Sequence, residues 1–162
     1  KAFGAEVTGV CSTAKADLVR SLGADVVDYT REDFVDQPRR YDVIVDTAGL
    51  RSLAHLRRGL TPKGTLVIVG GEGGGRWLGG VDRLPRAALM TPLTGQRLLG
   101  LLATEPREDL DTLRELIEAG KLKPVIDRRY PLGEVPDAIR RLERGHARGK
   151  LVVTIRDSGA VE

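Results

Sequence analysis

Ser12, Thr13 and Lys15 follow directly on a β-branched run, Val7-Thr8-Gly9-Val10-Cys11, where a strand gives way to a helix. Valine and threonine at period-two spacing suit a strand, and Ser12 or Thr13 is placed to accept a hydrogen bond from the first free N–H groups of the helix. Parallel sheets bind ligands at the carboxyl ends of their strands. Two hydroxyls and an ammonium at that place suit a phosphate, through charge-assisted hydrogen bonds. A dinucleotide fold that prefers NAD sets an acid near the end of its second strand to hold the ribose 2′-hydroxyl, and that acid repels a 2′-phosphate. No acid occupies positions 10–16, so the turn favours NADP. A capped helix with a solvated lysine is the competing reading of the same residues.

Other candidates lie at other strand ends. Asp46-Thr47-Ala48-Gly49 closes the run Tyr41-Asp42-Val43-Ile44-Val45-Asp46-Thr47, and Tyr29 closes the run before it. Both are candidates for the adenosine side of a dinucleotide, with plain packing the alternative for Tyr29. The glycines of 70–75 resemble a phosphate loop but miss its register: Gly71 and Gly73 are followed by Arg76 where Gly-x-Gly-x-x-Gly needs a third glycine. No helix starts directly after them to offer its N-terminus to a pyrophosphate. Glycines at a strand's carboxyl end can instead let backbone approach a flat ligand closely, mere loop flexibility being the rival.

Metal and nucleophile chemistry find little here. His55 and His146 have no companion Cys or carboxylate at ligand spacing and read as structural or solvent-facing. No serine sits on a nucleophile elbow. The one cysteine, Cys11, lies in a strand as a small core residue; it allows no internal disulfide and fits a reducing cytoplasm.

The elements that must position these residues follow from periodicity. Residues 6–11 form a strand, 16–22 a helix stopped by Gly23, and 25–29 a second strand. Residues 41–47 form a nearly continuous apolar strand, as expected when both faces are covered. Residues 52–60 form a helix with Leu53, Leu56 and Leu60 at i, i+3 and i+7, ended by a turn at Thr61-Pro62-Lys63-Gly64, and 65–69 form the next buried strand. The long stretch 70–96, with Trp77, Pro85, Pro92 and a helical turn at 87–90, breaks the pattern. A strand at 97–102 and a helix at 109–119, apolar through Leu110, Leu113, Leu116 and Ile117 and stopped by Gly120, come next. The C-terminal part follows a different pattern, with a strand at 125–130, a helix at 134–144 built on Val135, Ala138, Ile139 and Leu142, and a strand at 151–155. None of these three need share the first sheet. The alternation with short connections is that of a doubly wound α/β fold with a parallel sheet.

With 162 residues, 41% of them hydrophobic and 30% charged, the chain has the composition of an ordinary globular domain, and no apolar run spans a bilayer. The charge of +3 comes from 26 basic and 23 acidic residues mixed along the chain, and aromatics are only 4%, which argues against nucleic acid. Lys1-Ala2-Phe3-Gly4 reads as the last turn of a helix closed by glycine, so the chain is expected to be the later part of a longer protein.

In this order and spacing the segments resemble one family. They are Lys1-Ala-Phe-Gly-Ala-Glu-Val-Thr-Gly-Val-Cys-Ser-Thr13, Leu18-Val-Arg-Ser-Leu-Gly-Ala-Asp25 with Asp28-Tyr29, and Tyr41-Asp-Val-Ile-Val-Asp46. Gly64-Thr-Leu-Val-Ile-Val-Gly-Gly71, Leu116-Ile-Glu-Ala-Gly-Lys-Leu-Lys-Pro124 and Gly149-Lys-Leu-Val-Val153 complete the set. Together they are similar to the medium-chain dehydrogenase/reductases, in the branch of zinc-dependent alcohol dehydrogenase-like and quinone oxidoreductase-like proteins. The resemblance implies a Rossmann-type domain over 1–124 that lacks its first strand and Gly-rich turn, a strand-helix-strand over 125–155 that returns to the catalytic domain, and a tail at 156–162. It further implies that Ser12, Thr13 and Lys15 bind the 2′-phosphate, that Tyr29 lies against adenine, Ala48 and Gly49 beside the ribose, and Gly70 and Gly71 near the nicotinamide, with Arg148 or Lys150 reaching the cofactor from the tail. Zinc ligands, where used, come from outside this chain. The strand at 97–102 resembles the edge strand through which such domains pair, which implies a homodimer. The implied activity is hydride transfer between NADPH and a small-molecule alcohol, carbonyl, enone or quinone. Two other classes compete: a nucleotide-binding and dimerising module without turnover, and a methyltransferase-type sheet.

Overall fold

The computed structural model describes residues 1–69, 95–101, 106–145 and 147–155. Gly70, Gly71, the remainder of the glycine-rich stretch to 94, Leu102, His146 and the tail at 156–162 lie outside the described residues. The chain divides into two compact units, residues 27–104 and residues 1–26 with 105–162.

The unit 27–104 is built on a three-stranded parallel sheet. Strand β3 (Tyr41–Asp46) pairs with β4 (Leu60–Ile68), and β4 with β5 (Arg97–Gly100), so that Val45, Val67 and Leu99 stand in one row across the sheet. A six-residue helix α2 (Leu53–Arg58) forms the crossover between β3 and β4. Ser52 caps it, its hydroxyl accepting the His55 N–H at 3.2 Å, which satisfies one of the free donors at a helix start. The i, i+3 spacing puts Leu53 and Leu56 on one side, where they close a core with Val27, Phe34, Val35, Leu60, Leu66, Ile68 and Leu98. Gln96 ties the start of β5 to this crossover: its amide accepts from Arg57 Nε at 2.9 Å and donates to the carbonyls of Arg57 and Thr61.

Two expectations for this unit are corrected. The residues Thr61-Pro62-Lys63-Gly64 do not form a separate turn; they lie inside β4, as an irregularity where the register jumps from Tyr41↔Leu60 to Val43↔Thr65. Nor is β3 covered on both faces, since Val43 and Val45 are each 57% exposed. The apolar cover supplied by α2 and the 3-10 turn Phe34–Asp36 joins Ile44, Leu66, Ile68 and Leu98 on the other face, and β3 itself is an edge strand of its sheet.

From the start of the chain, β1 (Thr8–Cys11) leads through a 3-10 turn, Thr13–Lys15, into α1 (Ala16–Ser21), and the chain returns to β2 (Asp25–Asp28), which pairs with β1 and whose Val27 and Asp28 already belong to the unit 27–104. Cys11 and Ala16 are buried, as a small core residue and a helix start should be. The expected helix stops are present: Gly23 has φ 83° and Gly120, after α3 (Arg107–Glu118), has φ 67°, conformations that residues with a Cβ rarely adopt. The C-terminal part is a strand-helix-strand of its own. Strand β6 (Ile126–Pro131) and β7 (Lys150–Thr154) pair in parallel as a separate two-stranded sheet, with α4 (Val135–Glu143) between them in sequence. Tyr130 and Ala138 are buried, but Ile139 and Leu142, expected as core, are 51% and 63% exposed. The apolar side of α3 is likewise open at Leu110, Leu113 and Ile117.

Candidate functional site

The turn after β1 holds three of the expected residues together. Ser12 has extended backbone, and the Lys15 N–H donates to the Ser12 carbonyl at 2.9 Å, which closes the 3-10 turn. Neither Ser12 nor Lys15 makes a side-chain cap to the helices that follow them, which corrects the expected capping role of Ser12. The reason is local: the 3-10 turn inserts between strand and α1, so the helix start is occupied by Lys15 rather than by a hydroxyl. Ser12 and Lys15 are half-buried and Thr13 exposed. The first acid beyond the turn, Asp17, forms an ion pair with Arg20 at 3.0 Å.

Tyr29 follows β2 and is 51% exposed, so packing does not account for it. Asp28 fixes the backbone around it: its carboxylate accepts from the Thr30 N–H at 3.0 Å and from the Thr30 hydroxyl at 2.7 Å. Ala48 and Gly49 lie at the carboxyl end of β3. Here the Asp46 carboxylate accepts the Gly49 N–H at 3.0 Å and so holds the loop back against its own strand.

Arg148 and Lys150 flank the short turn into β7, and both side chains are exposed. Nearby, Asp127 on β6 accepts the Nε–H of Arg141 at 2.9 Å. The Arg141 hydrogen bond, partly offset by burial and aided by the charges of Arg141 and Arg148, holds the Asp127 carboxyl below its ordinary range. A groove of about 420 Å³ lies beside it, lined by Arg128, Tyr130, Glu134 and four residues of α4 and its end.

His55 has a partner that local spacing did not reveal. Its Nε2 stands 3.0 Å from Asp33 Oδ2, and its ring meets the Phe34 ring edge-on at 6.1 Å. Asp33 also caps the 3-10 turn by accepting the Val35 N–H at 3.2 Å, and Arg51 lies 3.7 Å away. Burial pushes the Asp33 carboxyl up, but the Val35 N–H, His55 and Arg51 together outweigh it and leave the carboxyl below its ordinary range. Among the described residues no group of three or more His, Cys, Asp or Glu is placed to hold a metal ion. No zinc step is therefore assigned to these residues. Nor is any helix among them long and apolar enough to cross a membrane.

Residues 22–153 match the family model described as zinc-binding dehydrogenase. The chain is 37% identical over 181 residues to the mitochondrial NAD(P)H oxidoreductase RTN4IP1 of Mus musculus, covering 96% of this chain and 43% of that protein. It is 36% identical to the chloroplastic NADPH-dependent alkenal/one oxidoreductase of Arabidopsis thaliana, over 93% of this chain and 34% of that one. The structure resembles the quinone oxidoreductase from Coxiella burnetii with a TM-score of 0.77 at 28% identity, over 94% of this chain and 46% of that one. The chain thus spans less than half the length of these relatives. Parallel strands with intervening helices, Rossmann-type in these neighbours, are common to all of this, and the chain belongs to the zinc-binding dehydrogenase family.

Proposed function

We propose that the whole protein is an NADP(H)-dependent oxidoreductase that transfers hydride between the nicotinamide and a small-molecule alcohol, carbonyl, enone or quinone. The redox class is supported by relatives named as NAD(P)H, alkenal/one and quinone oxidoreductases. The choice of NADP is carried by one observation: the turn at the carboxyl end of β1 offers the Ser12 hydroxyl, free of capping, together with the Lys15 ammonium, and the first acid after it is already engaged by Arg20. This donor set fits a 2′-phosphate, because an ammonium and hydroxyls form charge-assisted hydrogen bonds to it and no carboxylate in the turn opposes it.

In this reading Ser12, Thr13 and Lys15 hold the 2′-phosphate, Tyr29 lies against adenine, and Ala48 and Gly49 sit beside the ribose. Gly70 and Gly71 stand near the nicotinamide, and Arg148 and Lys150 reach the cofactor's anionic groups. The bound nicotinamide supplies the hydride chemistry; the protein binds and orients it. Residues 125–155 belong with the substrate-binding part rather than the cofactor domain, a placement supported by the separate β6–β7 sheet and by the open apolar side chains of Leu132, Ile139 and Leu142. Residues 97–102 pair two copies, with β5 at the outer edge of its sheet in support; light scattering on the full-length protein should give the mass of a dimer.

Comparison of kcat/KM with NADPH and with NADH on the full-length protein tests the cofactor reading. A preference for NADPH of at least about tenfold, the worth of one charge-assisted contact, is expected. Equal use of both cofactors would remove it. A second reading, a nucleotide-binding module without turnover, applies to the 162-residue chain itself, which spans less than half the length of its relatives. The isolated chain is expected to show no oxidoreductase activity.

A further inference from the structure

The groove between β6 and α4 gathers cations. Arg128 from β6 and Arg140, Arg141 and Arg144 from α4 and its end line its space of about 420 Å³, against two acids, Glu134 and Asp137. Asp137, Arg140, Arg141 and Arg144 fall at i, i+3, i+4 and i+7, which puts them on one side of the helix. Two of the four arginines are already matched: Arg140 Nη2 lies 2.6 Å from Asp137 Oδ1, and Arg141 Nε lies 2.9 Å from Asp127 Oδ2. Arg128 and Arg144 have no ion pair among the described residues. The Arg128 guanidinium instead lies over the Tyr130 ring, 5.4 Å from its centroid, a contact that holds the cation at the groove without neutralising it.

Tyr130 lines the same groove and is only 3% exposed. A buried tyrosine hydroxyl ordinarily finds a hydrogen-bond partner. This one has none among the described residues, and it is not sealed off by protein atoms. An unused hydroxyl donor thus stands with two unmatched guanidinium groups around one concave space.

We propose that this groove binds a small soluble phosphate monoester, with Arg128, Arg144 and the Tyr130 hydroxyl on its phosphate oxygens. Guanidinium forks match phosphate oxygens in pairs, and their excess of two positive charges over the lining acids offsets a phosphate dianion. The groove has the volume of about fourteen waters at roughly 30 Å³ each, which leaves room for a polar body carried by the phosphate. The Glu134 carboxylate, unpaired among the described residues, is an acceptor for hydroxyls on that body. Glu134 and Asp137 also repel an extended anionic surface, which favours a free ligand over a lipid headgroup. None of these residues is among those read above as holding NADP(H).

Calorimetric titration of the full-length protein with glycerol 3-phosphate, and with glycerol as the uncharged control, tests the assignment. Glycerol 3-phosphate is expected to bind with a dissociation constant of about 1 mM or tighter, and glycerol not at all. Arg128→Ala and Arg144→Ala should each weaken binding roughly tenfold, and Tyr130→Phe, which keeps the ring, about threefold or more. Arg129→Ala removes an exposed arginine of the same strand that does not line the groove, and should change affinity by less than about twofold. Absence of glycerol 3-phosphate binding overturns the inference, as do equal losses in Arg129→Ala and Arg144→Ala, which would show a general attraction to basic surface. With saturating NADPH present the affinity should be unchanged; loss of binding there would mean that the groove takes a cofactor phosphate, and overturns a separate ligand. Co-sedimentation with vesicles of phosphatidic acid in phosphatidylcholine, lost in Arg144→Ala and without binding of glycerol 3-phosphate, would put a lipid headgroup in the groove and overturn the soluble one. Melting temperatures report whether each variant folds. Should Arg128→Ala or Tyr130→Phe not fold, Arg144→Ala decides, because that side chain is exposed and unpaired: a roughly tenfold loss supports the site and wild-type affinity overturns it.

Discussion

His55 and Asp33, 22 positions apart, bring Nε2 and Oδ2 to 3.0 Å and so join α2 to the 3-10 turn that carries Phe34 into the core. The Asp33 carboxyl ionises below the ordinary 3.8 in the folded chain. A lowered folded value means that its stabilisation is complete above the unfolded value and is lost as pH falls through it towards the folded one.

Asp33→Asn tests that relationship, because it keeps a cap acceptor for the Val35 N–H but loses the charge facing His55 and Arg51. Urea unfolding should show a loss of up to about 1 kcal/mol near neutral pH, the usual range for a partly exposed pair. The gap between variant and wild type should close as the pH falls below the carboxylate range. A gap that does not change with pH would mean that the charge contributes nothing.

Gly59 ends α2 beneath the Phe34 ring. A Cβ at this position would lie 2.6 Å from Phe34 Cε2 and 3.3 Å from Ile44 Cδ1. Gly59→Ala should therefore cost about 1–3 kcal/mol by overpacking, read as a lower urea midpoint at unchanged slope. An unaffected midpoint would show that the ring has room to move.

The two faces of the β3–β4–β5 sheet should answer differently to mutation. Leu56 is 4% exposed on the covered side, and Leu56→Ala should cost about 2–5 kcal/mol. Val45 is 57% exposed on the open side, and Val45→Ser in the 162-residue chain should stay within about 0.5 kcal/mol of wild type. A Val45→Ser loss as large as that of Leu56→Ala would show that this face is covered in solution.

Local chemistry was legible where the cause is local. Gly23 and Gly120 end their helices at positive φ, and Leu53 and Leu56 reach the core because their spacing puts them on one side of a helix. Long-range pairing was not: nothing in spacing marks Asp33 for His55, Arg57 for Gln96 across 39 residues, or Asp127 for Arg141. Apolar pattern also says which side of an element seeks cover without saying whether this chain supplies it, as Val43, Val45, Ile139 and Leu142 show. At the candidate site, the types of Ser12 and Lys15 were readable, whereas the 3-10 turn that releases Ser12 from capping was not, since a one-turn insertion between strand and helix leaves the apolar period unchanged.

The central claim is that this turn selects a 2′-phosphate, and titration of the full-length protein with 2′,5′-ADP addresses it most directly. Loss of the Lys15 ammonium should weaken binding by roughly tenfold or more in Lys15→Ala, with the difference shrinking as salt screens the charge. Equal affinity of Lys15→Ala and wild type for 2′,5′-ADP would contradict the account.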